Sequence, residues 1–565
     1  MKITGAEAIV KCLQEQGVEV IFGFPGGVII DLFDELEKSS ITNVLVRHEQ
    51  AAVHAADAYG RVKGEVGVAL VTSGPGATNT VTGIASAYMD SIPLVVFTGQ
   101  VPTALIGNDA FQEVDIIGIT RPCTKHNYLV KDVKDLAETI REAFYIARTG
   151  RPGPVLIDLP KDVVMSKAKF PESKPVKMQT YRPTYEPHPG QIAKACKEVL
   201  KAKRPVIYAG GGVILSDSNE ELTELATKLN IPVTMTLMGL GAFPGTHKLS
   251  MGMLGMHGTY FANMAVSKCD LLIAVGARFD DRVTGRLADF APHAKIIHID
   301  IDPTSISKNV KVDIPIVADC KYALTAMNRW FDVQDDFNGK EHGEKLGTWL
   351  DDINDWKRKH PLGYVEEGDI IKPQFVVQKL HELTKGDAII STEVGQNQMW
   401  AAQFYHFNKP RHFLTSGGLG VMGYGFPAAI GAQMAAPDKI VIDVAGDGSI
   451  QMNIQELATA RQYKCPVKIA ILNNGYLGMV RQWQELFYDK RYAGTDLEVS
   501  PDFVKVAEAY GAVGLRATKV NEVEPVIKEA LATDNTVFMD FVIAREEGVY
   551  PMVPAGKATT EMLLS

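Results

Sequence analysis

The segment that decides the fold covers residues 440–476 and has the sequence IVIDVAGDGSIQMNIQELATARQYKCPVKIAILNNGY. It contains two apolar runs, each typical of a buried parallel strand, and a stretch with helical spacing between them. Asp447 lies in a glycine-flanked turn after the first run, and Asn474 lies just past the second. The pattern predicts a β-α-β unit whose two polar side chains leave the sheet at one edge.

These two side chains predict a cation site. Parallel strands that are neighbours or next but one bring their carboxyl ends side by side, so a carboxylate and an amide oxygen can converge. Mg²⁺ prefers such a site, with few protein ligands and phosphate oxygens for the rest. Gly446 and Gly448 would let backbone N–H groups approach the phosphates, and a helix beginning near Ser449 would add its positive end.

Apolar runs followed by helical stretches recur along the chain, which predicts an α/β protein. We expect three domains with open, mostly parallel sheets flanked by helices. The expected boundaries are 1–165 for the first domain, 166–189 for a proline-rich linker, 190–335 for the middle domain, 336–372 for a second linker, 373–550 for the last domain and 551–565 for a tail. The predicted strands are 44–46, 68–72, 94–98, 155–158, 206–209, 233–236, 271–275, 296–299, 388–391, 440–444, 467–472 and 537–543.

The first and third predicted domains share a spacing of glycines and proline. VALVTSGPG, a helix and Pro93 in the first correspond to VIDVAGDG, a helix and Pro466 in the third. One interpretation is a duplicated architecture, with two similar sheets flanking a different middle one. The other is the general similarity of α/β units, and this signal alone does not separate them.

Composition excludes several classes of protein. The 565 residues carry 58 Lys and Arg against 67 Asp and Glu, a net charge of -9 that disfavours binding to nucleic acid. The six cysteines include no Cys-x-x-Cys pair, so we expect neither a zinc ribbon nor a disulfide framework. The uncharged stretches 66–89 and 413–437 are broken by Gly, Pro, Ser or Thr, and no membrane span is predicted. The N-terminus lacks a signal-peptide pattern, and we expect a cytoplasmic protein, or an organellar one if a transit peptide has been removed.

The motifs together resemble a known family. The pair GDG and NN at 446–448 and 473–474 is similar to the thiamine diphosphate motif. Further matching motifs are GFPGG at 23–27, RHEQAA at 47–52, SGPG at 73–76, FQE at 111–113, GMHG at 255–258, RFDDR at 278–282 and GMVRQWQ at 478–484. From end to end, the chain resembles the catalytic large subunits of the acetohydroxyacid synthase (acetolactate synthase) family.

This resemblance implies a flavoprotein transferase that catalyses the first common step of branched-chain amino acid biosynthesis. Such an enzyme decarboxylates pyruvate and condenses the hydroxyethyl enamine with a second pyruvate, giving 2-acetolactate, or with 2-ketobutyrate, giving 2-aceto-2-hydroxybutyrate. The implied cofactors are thiamine diphosphate, Mg²⁺ and FAD. The implied assembly is a homodimer or tetramer with active sites between subunits, and a separate small regulatory subunit is a further implied partner.

The resemblance also assigns residues. Glu49 would be catalytic, through a hydrogen bond to the aminopyrimidine ring of thiamine. The implied contacts of thiamine diphosphate are Gly26, Glu49, Gln396, Asn397, Gly420, Met422, Gly446, Asp447, Gly448, Ser449, Asn474 and Tyr476, and the implied metal ligands are Asp447, Asn474 and the carbonyl of Tyr476. The implied FAD contacts are Arg151, Gly210, Gly211, His257, Gly258, Gly276, Ala277, Arg278, Asp300, Ile301 and Asp319. The implied substrate contacts are Phe111, Gln112, Lys161, Arg282, Met479 and Trp483.

Several alternatives stay open on the sequence. Glu49 would suit the start of any helix, and Trp483 would suit a core. A pyruvate oxidase-like enzyme would share thiamine diphosphate and FAD but pass electrons to the flavin, and a catabolic acetolactate synthase would lack the flavin. A non-catalytic protein on the same fold is the remaining alternative. The G-x-G-x-x-G match at 418–423 is a weak signal for a dinucleotide site.

Overall fold

Three parallel sheets of six strands each form the framework of the protein in a computed structural model that describes residues 2–335 and 337–565. A separate antiparallel pair of short strands joins the N-terminus to residues 167–169. The prediction of an α/β protein with open, mostly parallel sheets flanked by helices is confirmed. No helix in the described part of the chain is both long and apolar enough to cross a membrane.

The first sheet has the strand order β3-β2-β4-β5-β7-β6. The strands of this region are β1 (Lys2–Thr4), β2 (Val20–Phe24), β3 (Thr42–Leu45), β4 (Gly67–Val71), β5 (Leu94–Gln100), β6 (His126–Leu129), β7 (Pro154–Pro160) and β8 (Lys167–Lys169). The helices are α1 (Gly5–Glu15), α2 (Ile30–Glu37), α3 (Glu49–Lys63), α4 (Pro75–Asn79), α5 (Val81–Asp90), α6 (Ile116–Thr120), α7 (Leu136–Arg148) and α8 (Lys161–Met165). Strands β4, β5 and β7 are buried throughout, as expected for parallel strands covered by helices on both faces.

The middle sheet has the order β11-β10-β9-β12-β13-β14. All its strands are parallel, and the order in which successive strands are added reverses between β9 and β12. Its strands are β9 (Pro205–Ala209), β10 (Val233–Met235), β11 (Ser250–Met253), β12 (Leu271–Val275), β13 (Lys295–Asp300) and β14 (Ile314–Val317). The helices are α9 (Pro189–Lys201), α10 (Gly211–Leu215), α11 (Asn219–Leu229), α12 (Tyr260–Lys268), α13 (Asp281–Thr284), α14 (Cys320–Asp332), α15 (Gly339–Lys345) and α16 (Gly347–Lys359). Such a reversal opens a crevice at the carboxyl ends of the strands, where α/β proteins bind ligands.

The third sheet has the order β16-β15-β17-β18-β20-β19. Its strands are β15 (Ile389–Thr392), β16 (Phe413–Leu414), β17 (Val441–Gly446), β18 (Lys468–Asn473), β19 (Val513–Ala517) and β20 (Val537–Val542). The helices are α17 (Pro373–Thr384), α18 (Gln396–Phe404), α19 (Gly425–Ala435), α20 (Leu457–Gln462), α21 (Gly478–Phe487), α22 (Phe503–Ala509) and α23 (Val520–Ala532). Numbered within their own sheets, the strands of the first and third sheets have the same order, 2-1-3-4-6-5. The duplicated architecture is therefore confirmed, and the middle sheet differs from both.

The predicted strands omit β1, β2, β6, β8, β11, β14, β16 and β19. Of these, β6 has the polar sequence HNYL and β16 has only two residues, so neither carries a strong apolar run. In the second linker the sequence predicts one short helix around DDINDWKRKH at 351–360, which corresponds to α16, and the structure has a further helix there, α15. Helix α16 buries Trp349 and Ile353 against the middle sheet, which local polarity does not reveal.

Helices α3 and α19 pack face to face and join the first and third regions within one chain. Gly431 permits this approach, because a side chain there would overlap the backbone carbonyl of Ala55. A buried ion pair between Arg61 Nε and Asp57 Oδ1, 2.6 Å apart, lies at the same interface. The hydroxyl of Tyr424 donates to Asp57 Oδ1 at 2.7 Å, so the buried carboxylate is partnered from both regions.

Candidate active site

The turn that follows β17 holds a buried carboxylate with an unused oxygen. Strands β17 and β18 are neighbours, and Gly446 pairs with Leu472, so Asp447 and Asn474 leave the sheet side by side. Asp447 is 1% exposed, and burial raises its pKa to about 6 against the opposing hydrogen bonds from backbone N–H groups. Its Oδ2 atom has no hydrogen-bond partner among the described residues.

This arrangement fits a divalent cation. A buried carboxylate oxygen without a partner is costly unless a positive charge or a donor occupies the position beside it. Asn474, 7% exposed, turns its Oδ1 toward the backbone N–H of Tyr476, at 3.0 Å. Two oxygens from adjacent strand ends are the hard ligands that Mg²⁺ prefers, and the remaining positions suit phosphate oxygens.

The predicted helix near Ser449 is not an α-helix. The chain after Asp447 forms two short 3₁₀ turns, at Ile450–Met452 and Ile454–Glu456, before α20 begins. The Ser449 hydroxyl instead accepts a hydrogen bond from the backbone N–H of Gly446, at 3.1 Å. The turn is thus stabilised by its own side chain, and the helix that begins near Ser449 is a short 3₁₀ turn.

Gln396 and Asn397 begin α18 beside the same turn, and both are buried. Asn397 Nδ2 donates to the carbonyls of Glu393 and Val444, at 3.0 and 2.7 Å. Gln396 accepts from Asn474 Nδ2 at 3.3 Å. Both amides therefore support the strand ends that carry the metal-site residues, while their contact with a cofactor stays a prediction.

A cavity of about 1290 Å³ lies between the middle and third sheets. Of the residues assigned from the resemblance, its lining includes Arg151, Gly210, Gly211, His257, Gly276, Ala277, Arg278, Arg282, Asp300, Ile301, Asp319, Gly420, Met422, Met479 and Trp483. The lining does not include Gly258, although it includes its neighbour His257. The structure thus gathers residues from widely separated motifs around one space.

One end of this cavity is the crevice of the middle sheet. Gly210 follows β9, Gly276 follows β12 and Asp300 ends β13, so the lining lies at the carboxyl ends on both sides of the reversal. Arg151 contributes a cation from the first region, with its Nε donating to Ser91 Oγ at 2.8 Å. Backbone glycines, a carboxylate and a guanidinium are groups that bind ribose hydroxyls and phosphates, so this end fits a dinucleotide such as FAD.

Helices α13 and α21 carry predicted substrate residues that line the same cavity. Arg282 has a side chain that is 63% exposed, which places its cation where an incoming carboxylate can meet it. Trp483 is half-buried, with its ring 5.6 Å from that of Phe487 in an edge-on arrangement. It lies in the cavity lining, where its ring is accessible to a bound substrate.

Glu49 lies elsewhere, at the carboxyl edge of the first sheet. It is the first residue of α3, and its Oε2 accepts from Asn79 Nδ2 at 2.9 Å. A side chain at Gly76 would contact Glu49 Oε1 at 3.3 Å, so the small residue leaves space beside the carboxylate. None of the cavity lining in the described part of the chain comes from this edge at Glu49.

The remaining predicted residues of the first region surround this same edge. Gly26 packs against Thr72, and Lys161 Nζ donates to the carbonyl of Gly27 at 3.3 Å. Gln112 has a positive φ of 58° and packs against Gly74. Phe111 is 88% exposed. One chain therefore carries two separate sets of predicted residues, one at the first sheet and one at the large cavity and the metal site.

Three buried acids that the sequence analysis missed stabilise these sites. Glu456 Oε1 accepts from the backbone N–H of Arg47 at 2.9 Å, two residues before Glu49, and burial raises the pKa of Glu456 to about 7. Asp90 accepts from the N–H groups of Gly417 and Gly418, at 3.0 and 2.7 Å, in the segment that leads to Gly420.

The third acid is Glu393, which directly follows β15. It accepts from the N–H groups of Gly423 and Phe426, at 2.5 and 3.1 Å, and burial beside Asp443 raises its pKa to about 7. Its position just past a strand is a signal that the sequence carries, because polar residues at carboxyl ends of parallel strands are candidates for a site. Glu456 and Asp90 have no such local signal.

Comparisons with known proteins agree with this geometry. Three family models match the chain: the thiamine pyrophosphate enzyme N-terminal TPP binding domain at residues 3–119, the central domain at 192–327 and the C-terminal TPP binding domain at 393–541. The large subunit of acetolactate synthase from Haemophilus influenzae is 50% identical over 568 residues, covering 100% of this chain and 98% of the relative.

Two further relatives have similar identity. The large subunit of acetolactate synthase isozyme 3 from Escherichia coli is 50% identical over 569 residues, covering 100% of this chain and 99% of the relative. The acetolactate synthase large subunit from Corynebacterium glutamicum is 50% identical, covering 99% of this chain and 90% of the relative. The chain belongs to the acetolactate synthase large-subunit family of thiamine diphosphate-dependent enzymes.

Proposed function

We propose that this chain catalyses the acetolactate synthase reaction, in which two pyruvate molecules give 2-acetolactate and carbon dioxide. With 2-ketobutyrate as the second substrate, the product is 2-aceto-2-hydroxybutyrate. The observation that carries the proposal is the buried Oδ2 of Asp447, which has no hydrogen-bond partner in the described part of the chain and lies beside the amide of Asn474 at adjacent strand ends. Relatives named as acetolactate synthase along the full length of the chain support the choice of reaction.

The proposed metal ligands are Asp447, Asn474 and the backbone carbonyl of Tyr476. Mg²⁺ held there would bind the diphosphate of thiamine diphosphate, with contacts from the turn at 446–449 and from Gln396 and Asn397. When bound, thiamine diphosphate supplies the carbanion and electron-sink chemistry of decarboxylation. The protein's own task at this site is to hold two oxygens at fixed positions and to exclude water from them.

Glu49 is the proposed proton-holding group. Its carboxyl would exchange a proton with the aminopyrimidine ring, with Asn79 holding its other oxygen in place. Glu49 lies at the first sheet, away from the cavity lining of its own chain. We therefore propose a homodimer, alone or paired into a tetramer, in which Glu49 and the residues Gly26, Phe111, Gln112 and Lys161 of one subunit complete the site of another.

The FAD site is proposed at the crevice of the middle sheet, with the eleven residues assigned by the resemblance, including Gly258 beside the cavity. The overall reaction transfers no electrons to an acceptor, so the flavin would have a structural role. Burial lowers the pKa of His257 to about 4, so its ring is neutral at pH 7 and adds no charge beside the flavin.

Substrate binding is proposed at the part of the cavity that α13 and α21 line. Both keto acids are carboxylates, so the exposed guanidinium of Arg282 would attract them by its charge. Met479 and Trp483 give an apolar wall for the methyl or ethyl group of the acceptor. Gly420 and Met422, which are proposed contacts of thiamine diphosphate, line the same cavity.

We propose the domain boundaries 1–165, 190–335 and 373–550, because each range encloses one six-stranded sheet. The name "large subunit" of the relatives supports a separate small regulatory subunit as a partner. We also propose a cytoplasmic location, which fits the six free cysteines.

The experiment is an assay of the purified chain with pyruvate alone and with added 2-ketobutyrate, each with and without thiamine diphosphate, Mg²⁺ and FAD. We expect both acetohydroxyacids to form and the rate to require all three cofactors. Oxygen uptake equal to pyruvate consumption would contradict the proposal in favour of a pyruvate oxidase. Full activity of a colourless, flavin-free protein would contradict the FAD site.

A further inference from the structure

A chain of buried amides connects the proposed metal site to helix α21. Gln482, which is 1% exposed, lies at its inner end and was not assigned a role above. Its Nε2 donates to the carbonyl of Val549 at 3.1 Å, and its Oε1 accepts from the N–H of Val549 at 2.9 Å. A backbone N–H can only donate and a carbonyl can only accept, so this pair of bonds determines which way the Gln482 amide points.

The orientation of the Gln482 amide in turn determines the orientation of the Gln396 amide. Gln482 Oε1 also accepts from Gln396 Nε2 at 2.9 Å, and that same nitrogen donates to the carbonyl of Glu547 at 2.9 Å. Two acceptors therefore face the nitrogen of Gln396. Rotating this amide by 180° would place oxygen against oxygen at both contacts, which removes both hydrogen bonds. Gln396 must present its Oε1 to the metal site.

The last step is Asn474. Gln396 Oε1 accepts from Asn474 Nδ2 at 3.3 Å, so the nitrogen of Asn474 faces the helix and its oxygen faces the other way, toward the N–H of Tyr476 at 3.0 Å. A side-chain amide coordinates a cation through its oxygen, whereas its NH₂ group has no free lone pair to offer. The direction of this amide therefore decides whether Asn474 is a metal ligand.

We infer that Gln482 is a positioning residue that, through Gln396 and together with the N–H of Tyr476, holds the Asn474 amide in the direction in which its oxygen faces the metal. The inference rests on the proposed function, because it assumes the metal site of Asp447 and Asn474. Gly478 lies beside the same buried amides. A side chain at Gly478 would overlap Gln396 Oε1 and would lie 2.8 Å from Asn474 Nδ2, so the glycine leaves the space in which these amides meet.

The test is a calorimetric titration of Mg²⁺ into the full-length, FAD-loaded protein at a constant concentration of thiamine diphosphate. Gln482→Met, which removes the amide but keeps the length, should weaken Mg²⁺ binding about tenfold, the size of effect expected for a group that orients a metal ligand. Gln482→Glu should bind Mg²⁺ more tightly than Gln482→Met, because its carboxyl oxygens still accept from Gln396. At saturating Mg²⁺, the KM for pyruvate should equal that of the wild type.

The matched control is Gln433→Met. Gln433 is buried and donates to the carbonyls of Ala436, Pro437 and Lys439, away from the metal site. It should lower thermal stability without changing Mg²⁺ affinity. If Gln482→Met does not fold, Gly478→Ala serves as the second variant and should weaken Mg²⁺ binding in the same direction.

Three results would overturn the inference. The first is a wild-type Mg²⁺ affinity in folded Gln482→Met, and the second is an equal loss in Gln482→Glu and Gln482→Met. Asp447→Ala, titrated in parallel, separates these failures from a failure of the proposed function. If Asp447→Ala loses Mg²⁺ binding while Gln482→Met does not, only the positioning role is wrong. The third result is wild-type Mg²⁺ binding in Asp447→Ala, which removes the metal site and the inference with it.

Discussion

The first and third sheets have the same strand order but carry different chemistry at their carboxyl edges. The third sheet presents the buried carboxylate of Asp447 and the amide of Asn474, one on each of two neighbouring strand ends. The first sheet presents Glu49 at the start of α3, hydrogen-bonded to Asn79. One topology thus supports a metal-binding edge and a proton-holding edge, and the difference lies in the turn residues.

The contrast extends to buried carboxylates at matching places. Strands β7 and β20 occupy the same place in space, the fifth position across their sheets. Each carries a buried aspartate, Asp158 in β7 and Asp540 in β20. Asp540 forms a charged hydrogen bond with Arg516 at 2.9 Å. Among the described residues, the Asp158 carboxyl accepts only from the neutral groups of Thr98 and Gln100, at 2.7 and 3.0 Å. Burial raises the pKa of Asp158 to about 7.

The largest effect that this comparison predicts is at Asp447. Asp447→Ala should abolish Mg²⁺-dependent binding of thiamine diphosphate, because it removes one of few metal ligands and leaves the diphosphate charge uncompensated. FAD should stay bound, since its proposed site lies in the middle sheet. Titration of thiamine diphosphate with and without Mg²⁺, with flavin absorbance as a second measurement, checks both statements.

Asp158→Ala is the control in the first sheet and should keep Mg²⁺-dependent binding. If both variants lose thiamine diphosphate equally, the two edges do not differ in the way proposed. An unchanged affinity in Asp447→Ala would mean that Asp447 is not a metal ligand.

The next effect concerns Glu49. Glu49→Gln should reduce the rate by about 10²- to 10⁴-fold, the usual range for a group that transfers a proton. Binding of thiamine diphosphate should persist, because the metal site belongs to the third sheet. Steady-state kinetics with parallel cofactor titrations measure this. Glu19→Gln, which changes an exposed carboxylate beside Lys63, should leave the rate unchanged. A Glu49→Gln rate within a few-fold of wild type would remove the assigned role.

A smaller effect is expected at the cavity. Trp483→Leu should keep acetolactate formation while lowering the preference for 2-ketobutyrate over pyruvate. One methylene in an apolar pocket is worth roughly 1 to 3 kcal/mol, or about 10- to 200-fold in discrimination. The product ratio in competition at several substrate ratios is the measurement. Phe487→Leu changes a ring that touches Trp483 outside the cavity lining and is the matched control. An unchanged ratio in active Trp483→Leu would contradict the acceptor site.

The last effect is on stability alone and is a pH dependence at Asp158. The pKa of Asp158 is about 7 in the folded protein against an ordinary 3.8, so between these values the folded protein holds a proton that the unfolded chain has released. Stability must therefore fall as the pH rises through this window, by at most about 1.4 kcal/mol per pH unit for one proton. Asp158→Asn cannot titrate, so its stability should not show this fall. The difference in stability between Asp158→Asn and the wild type should therefore shift in favour of the variant as the pH rises from 4.5 to 7.5.

Urea denaturation of both proteins at these two pH values measures the difference. Asp540→Asn is the comparison in the third sheet, because it removes a buried carboxylate that accepts a charged hydrogen bond from Arg516. A difference between wild type and Asp158→Asn that does not change with pH would contradict the raised pKa.

The sequence by itself determined the local chemistry of the third sheet. The spacing of Asp447 and Asn474 about one β-α-β unit was enough to predict a shared edge, because neighbouring parallel strands end on the same side. The duplicated glycine and proline spacing suggested two similar sheets, and the shared strand order confirms this. The spacing of residues can predict these features because each of them depends only on one helix or strand and the next element along the chain.

The tertiary structure alone decided which distant residues support these sites. Gln396 and Gln482 are 86 positions apart, and Arg47 and Glu456 are 409 apart. Helix α15 lies in a polar stretch for which no helix was predicted, and the helix expected near Ser449 begins as 3₁₀ turns. Buried hydrogen bonds and desolvation depend on which groups meet after folding, and no local pattern of apolar residues specifies those partners.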